Sequence, residues 1–353
     1  MSAGGYTLPA PAGGAPGRRV ERLLLVSPAF HGYHRSIAAA WAQQGFDVTV
    51  HTYDAYSTPA MKLRNKALLE LPQKAGIDRA AARVAWDTDR AVAALREARP
   101  DRVLVIKGDS LGDAFWDEVE ALGVPRMLWL YDDLHRHDYS ADFLRQVGPV
   151  LSYARSETEA LAAQGVDAHY MPNGFDPDLA VPRLDRREEV VFVGSRYPNR
   201  VELLERLAQA GVPVRAYGRQ WSHHPVDRLR TWELRRPDLP AERDIPLEEA
   251  YAVQAAAAAA INVHGLQAGH AMRTFEVPGM GGLQFVDRPD VAEFYEPGEE
   301  VLVFEDADHL VELAQRVVAE PSWGERIRAA GRRRSHAEHT FAHRAAMAQE
   351  WWV

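Results

Sequence analysis

Residues 264–282 read HGLQAGHAMRTFEVPGMGG and lie between two short apolar runs, AINV before and LQFV after. A strand, a glycine-bearing turn and a helix start, in that order, make an anion site, because backbone N–H groups at a helix N-terminus point toward a negative ligand. Arg273 adds a fork of donors suited to phosphate. Glu276 follows on the same turn and offers a carboxylate that can accept hydrogen bonds from a sugar diol. Gly269, Gly279, Gly281 and Gly282 are crowded around the pair. Positive groups for a diphosphate beside one negative group for a ribose are the chemistry of holding a nucleotide. The same residues also have ordinary readings: Arg273 and Glu276 as a helix surface pair worth a few tenths of a kcal/mol, and the glycines as tight turns.

The rest of the chain bounds this reading. At 353 residues the chain exceeds what one core usually serves, so two domains are expected. The net charge of −9, from 41 basic and 50 acidic residues, argues against a nucleic-acid binder. The run Arg332-Arg333-Arg334 then reads as a solvated helix face. No cysteine is present, which excludes a disulfide scaffold and a thiolate metal site and fits a cytoplasmic protein. Residues 1–19, rich in glycine and proline and without an apolar centre, are expected to be a disordered tail rather than a secretory signal. The longest apolar run, around Ala255–Val263, falls short of the roughly 20 residues of a membrane span.

Outward from the focal stretch, strand and helix patterns alternate. VERLLLVSP, FDVTVHTY, RVLVIKG, RMLWLYD, VLSYAR and AHYMPNG read as strands of a first half, with helices over IAAAWAQQ, 61–99 (broken near Pro72 and Gly76), 111–122 and 157–164. Continuous apolar strands suit a parallel sheet covered on both faces. The proline- and charge-rich 176–188 reads as a linker. EVVFVGS, VPVRAYG, INVHG, LQFVD and VLVFED are strands of a second half, with helices over 198–210, 247–260, 308–320 and 322–334 and a final helix ending at Trp351-Trp352; 221–244 reads as irregular. The expected layout is thus tail 1–19, first domain 20–175, linker 176–188, second domain 189–335 and a closing helix 336–353. Lys107, Asp109, Ser110, Asp132, Asp133, Asn173, Ser195 and Arg196 all follow strands, where ligands bind in open parallel sheets.

These features resemble the GT-B glycosyltransferases. PNGFDPDL at 172–179 resembles the family's PNGVD junction, EVVFVGSRYPNR the strand and glycine turn opening its nucleotide-binding domain, and FEVPGMGG its E-A-x-A-x-G segment. RTFEVPGMGGLQFVDRPDVAEFYEPGEEVLVF is similar to the family of the spore maturation protein CgeB and its bacterial relatives. The resemblance implies two Rossmann-like parallel-sheet domains facing a cleft, with the last helix crossing back to the first domain. It also implies a cytoplasmic enzyme that takes a nucleoside diphosphate sugar as donor and passes the sugar to an acceptor, whether small molecule, peptide or glycan. The sequence departs from the retaining pattern: the position eight before Glu276 is Ala268 instead of a second glutamate, and the lysine after the glycine turn is replaced by Arg196 or Arg200. The stereochemical outcome is therefore not carried over.

The resemblance distributes the roles. The Gly194-Ser195-Arg196 turn and Arg273 are expected at the diphosphate, Glu276 at the ribose with Gly281 beside it, and Tyr217-Gly218 at the nucleobase. His264 either touches the donor or is a satisfied buried histidine. A general base is expected from the first domain, among Asp132, Asp133, Asp109 and His31. YDDLHRHD at 131–138 also has the ligand types of a divalent-ion site. Because the second domain already supplies positive charge, no metal or cofactor is expected. Two other readings remain: a sugar-nucleotide epimerase of the same architecture, and a non-catalytic nucleotide-sugar binder.

Overall fold

The structure is a computed structural model that describes residues 5–10, 19–55, 63, 78–265 and 267–352. It divides into two compact units, Met1–Pro172 with Phe341–Val353, and Asn173–Thr340.

The first unit is built on a seven-stranded sheet in the order β1-β3-β2-β4-β5-β6-β7. Its strands are β1 (Gly5–Leu8), β2 (Arg22–Ser27), β3 (Asp47–Thr52), β4 (Arg102–Ile106), β5 (Arg126–Trp129), β6 (Val150–Ser152) and β7 (Ala168–Tyr170). All pairs are parallel except β1 with β3. Between them run α1 (Tyr33–Gln43), α2 (Ala80–Ala98), α3 (Asp113–Leu122), α4 (Ala141–Gln146) and α5 (Arg155–Ala163). Leu24, Val26, Val103, Val105 and Leu128 form the centre of the core, joined by Phe115 and Val119 of α3. These strands lie between layers, which is why they are apolar throughout rather than alternating. The expected helix break near Pro72 and Gly76 lies outside the described residues.

One expectation is corrected here. Gly5–Leu8, placed in the disordered tail from composition, is an edge strand, with Tyr6 opposite Val50 and the Thr7 and Thr49 hydroxyls 3.2 Å apart. A four-residue edge strand is held by backbone hydrogen bonds and needs no apolar run, so composition misses it.

The chain also ends on this unit. α12 (Phe341–Ala348; the intervening elements belong to the second unit) lies against α1, with the Phe341 ring 6.4 Å from Tyr33. Trp352 meets Trp41 edge-on at 5.8 Å, and Trp351 stacks on His169 at 4.8 Å.

The second unit carries a six-stranded, all-parallel sheet in the order β10-β9-β8-β11-β12-β13. The strands are β8 (Val190–Val193), β9 (Val214–Tyr217), β10 (Ala241–Glu242), β11 (Ala259–Asn262), β12 (Gln284–Val286) and β13 (Leu302–Val303). The helices are α6 (Pro198–Gln209), α7 (Pro225–Thr231), α8 (Leu247–Ala256), α9 (Arg273–Gly279), α10 (Ala307–Ala319) and α11 (Pro321–Glu338). Phe192, Trp221, Leu204, Ile261, Phe285 and Ile327 meet in its core.

Three boundaries differ from the sequence reading. The 176–188 segment and Phe175 belong to this unit: Phe175 is fully buried, donates its N–H to the His339 carbonyl at 3.1 Å and lies under Gly279. The closing helix accordingly begins at Phe341, and α11 runs to Glu338. The alanine-rich helix stops at Ala256, because Ala257 is extended and Ala259–Asn262 fill the sheet between β8 and β12, while Arg328 donates to the carbonyls of Ala257 and Ala258. Residues 221–244, read as irregular, contain α7 and β10, pinned by Arg243 on Asp227 at 2.8 Å, a tertiary contact without a periodic signal.

Candidate nucleotide-binding site

The site is assembled from the carboxyl ends of β8, β9 and β11. Two glycine turns meet there. Gly194 has φ 147° and Gly218 φ 146°, a region closed to residues with a Cβ. A Cβ on Gly218 would also stand 2.8 Å from the Gly194 carbonyl oxygen. Trp221 locks the contact by donating Nε1–H to that same oxygen at 2.9 Å.

Above this turn two guanidinium groups gather around Phe192, Arg200 of α6 at 5.1 Å from the ring centroid and Arg273 of α9 at 5.5 Å. Arg273 Nη2 donates to the Val193 carbonyl at 2.6 Å. Arg200 Nη2 donates to the Val263 carbonyl at 2.7 Å and Nη1 to that of Ser195 at 3.0 Å. Arg200 is buried, and burial together with the charge of Arg273 lowers its pKa to about 10. Two mutually repelling cations on backbone carbonyls at strand ends are a standing attraction for a polyanion.

Glu276, on the next turn of α9, is buried and accepts a hydrogen bond from Tyr251 OH of α8. Tyr251 helps to orient the carboxylate.

Beneath the start of α9 lies a buried polar network. Asn262 donates to Gln284 Oε1 at 2.9 Å and to Thr274 Oγ1 at 3.0 Å. The Thr274 hydroxyl is 3.1 Å from His264 Nε2, and His264 Nδ1 is 2.8 Å from Asp287 Oδ1. Donors and acceptors balance when His264 carries its proton on Nδ1, and burial lowers its pKa, favouring that neutral form. His264 is therefore satisfied on both nitrogens and supports the turn. Nearby His270 is buried, with its pKa lowered to about 4 chiefly by burial and further by the Arg288 charge. Asn173 holds the His270 carbonyl at 3.1 Å, which ties the PNG segment to the loop that carries Arg273.

Two groups of expected site residues have surroundings that the sequence did not show. Arg196 turns to Glu233 at 2.6 Å, beside a cavity of about 590 Å³ lined also by Glu202, Glu205 and Arg206. Arg200 takes the place beside Arg273. Gly279, Gly281 and Gly282 sit at the C-terminal end of α9, and Gly269 lies in the loop before it. A Cβ on Gly279 would stand 2.5 Å from the Phe175 ring, and Gly281 has φ 82° in the turn leaving the helix. They allow close packing, and the Gly281 and Gly282 N–H groups donate to the Pro278 and Val277 carbonyls at 2.9 and 2.8 Å. Arg200 carried a faint signal, an arginine on the first turn of the helix after the glycine turn; Tyr251 and the Asn262 network carried none. Tyr217 is buried at the end of β9, next to Gly218, and Ser195 offers its carbonyl to Arg200.

In the first unit, the expected acids gather at the ends of β4 and β5, where Lys107 (φ 60°) and Tyr131 (φ 64°) both adopt left-handed backbone. Lys107 Nζ is 3.1 Å from Asp132 Oδ2. Asp109 Oδ2 is 3.2 Å from Nδ1 of the buried His137, whose ring stacks on Tyr139. Burial would raise the Asp109 pKa, but the hydrogen bond and charge of His137 and the charge of Lys107 outweigh it and hold the group below its ordinary value. Asp133 is buried, accepts from Tyr153 OH at 2.5 Å and lies 3.8 Å from Arg136 Nε. His31 is exposed in the loop after β2, with φ 45°. Among the described residues no group of three or more acidic or histidine side chains is arranged to hold a metal ion, so Asp132, Asp133, His135, His137 and Asp138 do not converge as metal ligands.

Comparison with known proteins bears on the fold. Residues 188–350 match the model of a family described as glycosyl transferase-like. The whole fold is GT-B. Sucrose-phosphate synthase from Thermosynechococcus elongatus superposes with a TM-score of 0.61 at 15% identity, over 94% of this chain and 98% of that one. HepE from Anabaena, solved in complex with UDP and glucose, gives 0.62 at 13% over the same shares. A candidate UDP-N-acetylglucosamine 2-epimerase from Listeria monocytogenes gives 0.56 at 12%, over 94% and 95%. Among curated proteins none matches. Among the described residues no helix is long and apolar enough to cross a membrane.

Proposed function

We propose that the protein is a glycosyltransferase of the CgeB-like kind that moves a sugar from a nucleoside diphosphate sugar to an acceptor without a metal ion. The observation that carries this is the pair Arg200 and Arg273, held on backbone carbonyls around Phe192, with the oriented carboxylate of Glu276 one turn away. Breaking the glycosidic bond leaves negative charge on a diphosphate, and fixed cations in a partly desolvated site stabilise that charge as it grows. Glu276 takes the ribose hydroxyls, and the Gly194 and Gly218 turns let the donor approach the backbone. In the first unit Asp132 and Asp109 are the acids exposed enough to take the acceptor's proton. Asp109, ionised at neutral pH and backed by His137, is ready to act as base.

The test is a thermal-shift screen against UDP, GDP, ADP and their sugars, followed by donor turnover with and without EDTA. A ligand at about 100 times its Kd adds roughly 2.7 kcal/mol of stability. The expected result is stabilisation by a nucleoside diphosphate, lost in Arg200→Ala, and turnover that survives EDTA. Turnover abolished by EDTA and restored by magnesium overturns metal independence. The Listeria likeness gives a second reading, epimerisation; a donor converted to its epimer without loss of nucleoside diphosphate would favour it. A protein that binds donor but neither hydrolyses nor converts it would be a binder only.

A further inference from the structure

α7 and the loop behind it turn the usual amphipathic pattern outward. Of nine large hydrophobic side chains exposed among the described residues, four fall here: Val226 (43% exposed), Leu229 (66%), Trp232 (87%) and Leu234 (76%). Asp227, Glu233 and Arg236 of the segment are held in ion pairs. Arg236, its side chain fully buried, donates to Glu233 at 2.8 Å and Thr231 at 2.6 Å. Glu233 is held again by Arg196, and the buried Asp227 by Arg243. Trp232 ends α7 in the left-handed conformation (φ 55°), a strained position for a large side chain. The exposure is therefore built: an inner layer of ion pairs braces a tip that keeps indole and leucine in water.

The tip is cationic. Arg230 and Arg235 are exposed and have no ion pair among the described residues, while Asp227 is paired with Arg243 and Glu233 with Arg196 and Arg236. This stands out on a chain of net charge −9. Tryptophan and leucine flanked by arginine suit the boundary between lipid headgroups and acyl chains, where the apolar bodies insert and the guanidinium groups meet anionic headgroups. A second copy docked by a two-fold axis would set these arginines against one another. A tip of four side chains is also smaller than the roughly 800 Å² per partner of a standard protein interface.

We propose that residues 226–235 form a membrane-docking tip that rests the second unit on an anionic lipid surface. The inference stands independently of the sugar-transfer reading. The test is flotation of the full-length protein with vesicles of phosphatidylglycerol and phosphatidylcholine in equal parts, against phosphatidylcholine alone. The expected result is co-flotation with the anionic vesicles, weakened at least about tenfold in Leu229→Ser/Trp232→Ser and in Arg230→Ser/Arg235→Ser, both with unchanged melting curves. Binding should also fall as salt rises toward 1 M, where the Debye length is about 3 Å. No co-flotation, or equal binding by the double variants, overturns the proposal. A dimer in light scattering that Trp232→Ser dissolves would give the tip to a second copy and overturn it as well.

Discussion

Glu276 and Tyr251 are coupled by one hydrogen bond, and their variants should separate binding from folding. A hydrogen bond to a charged group contributes about 1.5–3 kcal/mol, so Glu276→Ala should weaken binding of the preferred nucleoside diphosphate by at least about tenfold. Tyr251→Phe keeps the carboxylate and loses its orientation; a smaller loss is expected, together with about 1–3 kcal/mol of stability from an under-satisfied buried acid. Calorimetric titration beside thermal melts reads both, and unchanged affinity in a folded Glu276→Ala protein removes the ribose assignment. Arg196, expected at the diphosphate from the sequence, and Arg200 give a second contrast. Arg200→Ala should cost at least about tenfold in diphosphate affinity, Arg196→Ala less than about threefold, because Glu233 already neutralises Arg196. The reverse order would mean that the Arg196 turn is the diphosphate site.

Among the elements, α12 with the residues that follow it is the one whose loss should be felt beyond its size. Phe341, Trp351 and Trp352 cover Tyr33, His169 and Trp41, and burying one such side chain contributes about 1.5–3 kcal/mol. Removing residues 341–353 should lower the melting temperature of the first unit by about 5–10 °C and reduce solubility. Calorimetry of the truncated chain checks this, and an equally stable, soluble product would show the aromatic contacts to be dispensable. α8 and β11 show where element reading stops. Alanine propensity extends a helix through Ala260, but the gap between β8 and β12 has to be filled and Arg328 takes the Ala257 and Ala258 carbonyls, so the chain changes state inside one alanine run. Packing and a distant side chain outweigh a propensity of a few tenths of a kcal/mol per residue.

For the molecule as a whole, acid stability follows from buried histidines in both units. Burial lowers His51 in the first unit and His270 in the second from 6.5 to about 4. Between those values the unfolded chain takes up protons that the folded chain does not, so stability is complete above about pH 6.5 and falls as pH drops toward 4. Each group contributes about 1–3 kcal/mol to that loss. Melting temperatures recorded from pH 7.5 to 4.5 should decline through this window, and His270→Asn should flatten the decline in the second unit. A profile that stays flat down to pH 4.5 would show that these rings protonate in the folded state.

The sequence by itself determined the doubly wound halves, because continuous apolar strands alternating with helical patterns have one economical way to bury both sheet faces. It also placed Arg273 and Glu276 on one short helix, since a local segment carries its own spacing. Tertiary structure decided the partners. Glu276 belongs to Tyr251, Arg196 to Glu233, and Arg200 joins Arg273 around Phe192, all through residues brought together from separate elements. It also recruited Gly5–Leu8 into the sheet and the 176–188 segment into the second unit. A hydrogen bond between distant residues leaves no period in a sequence, and a turn's side chains take their direction from what the rest of the fold leaves open.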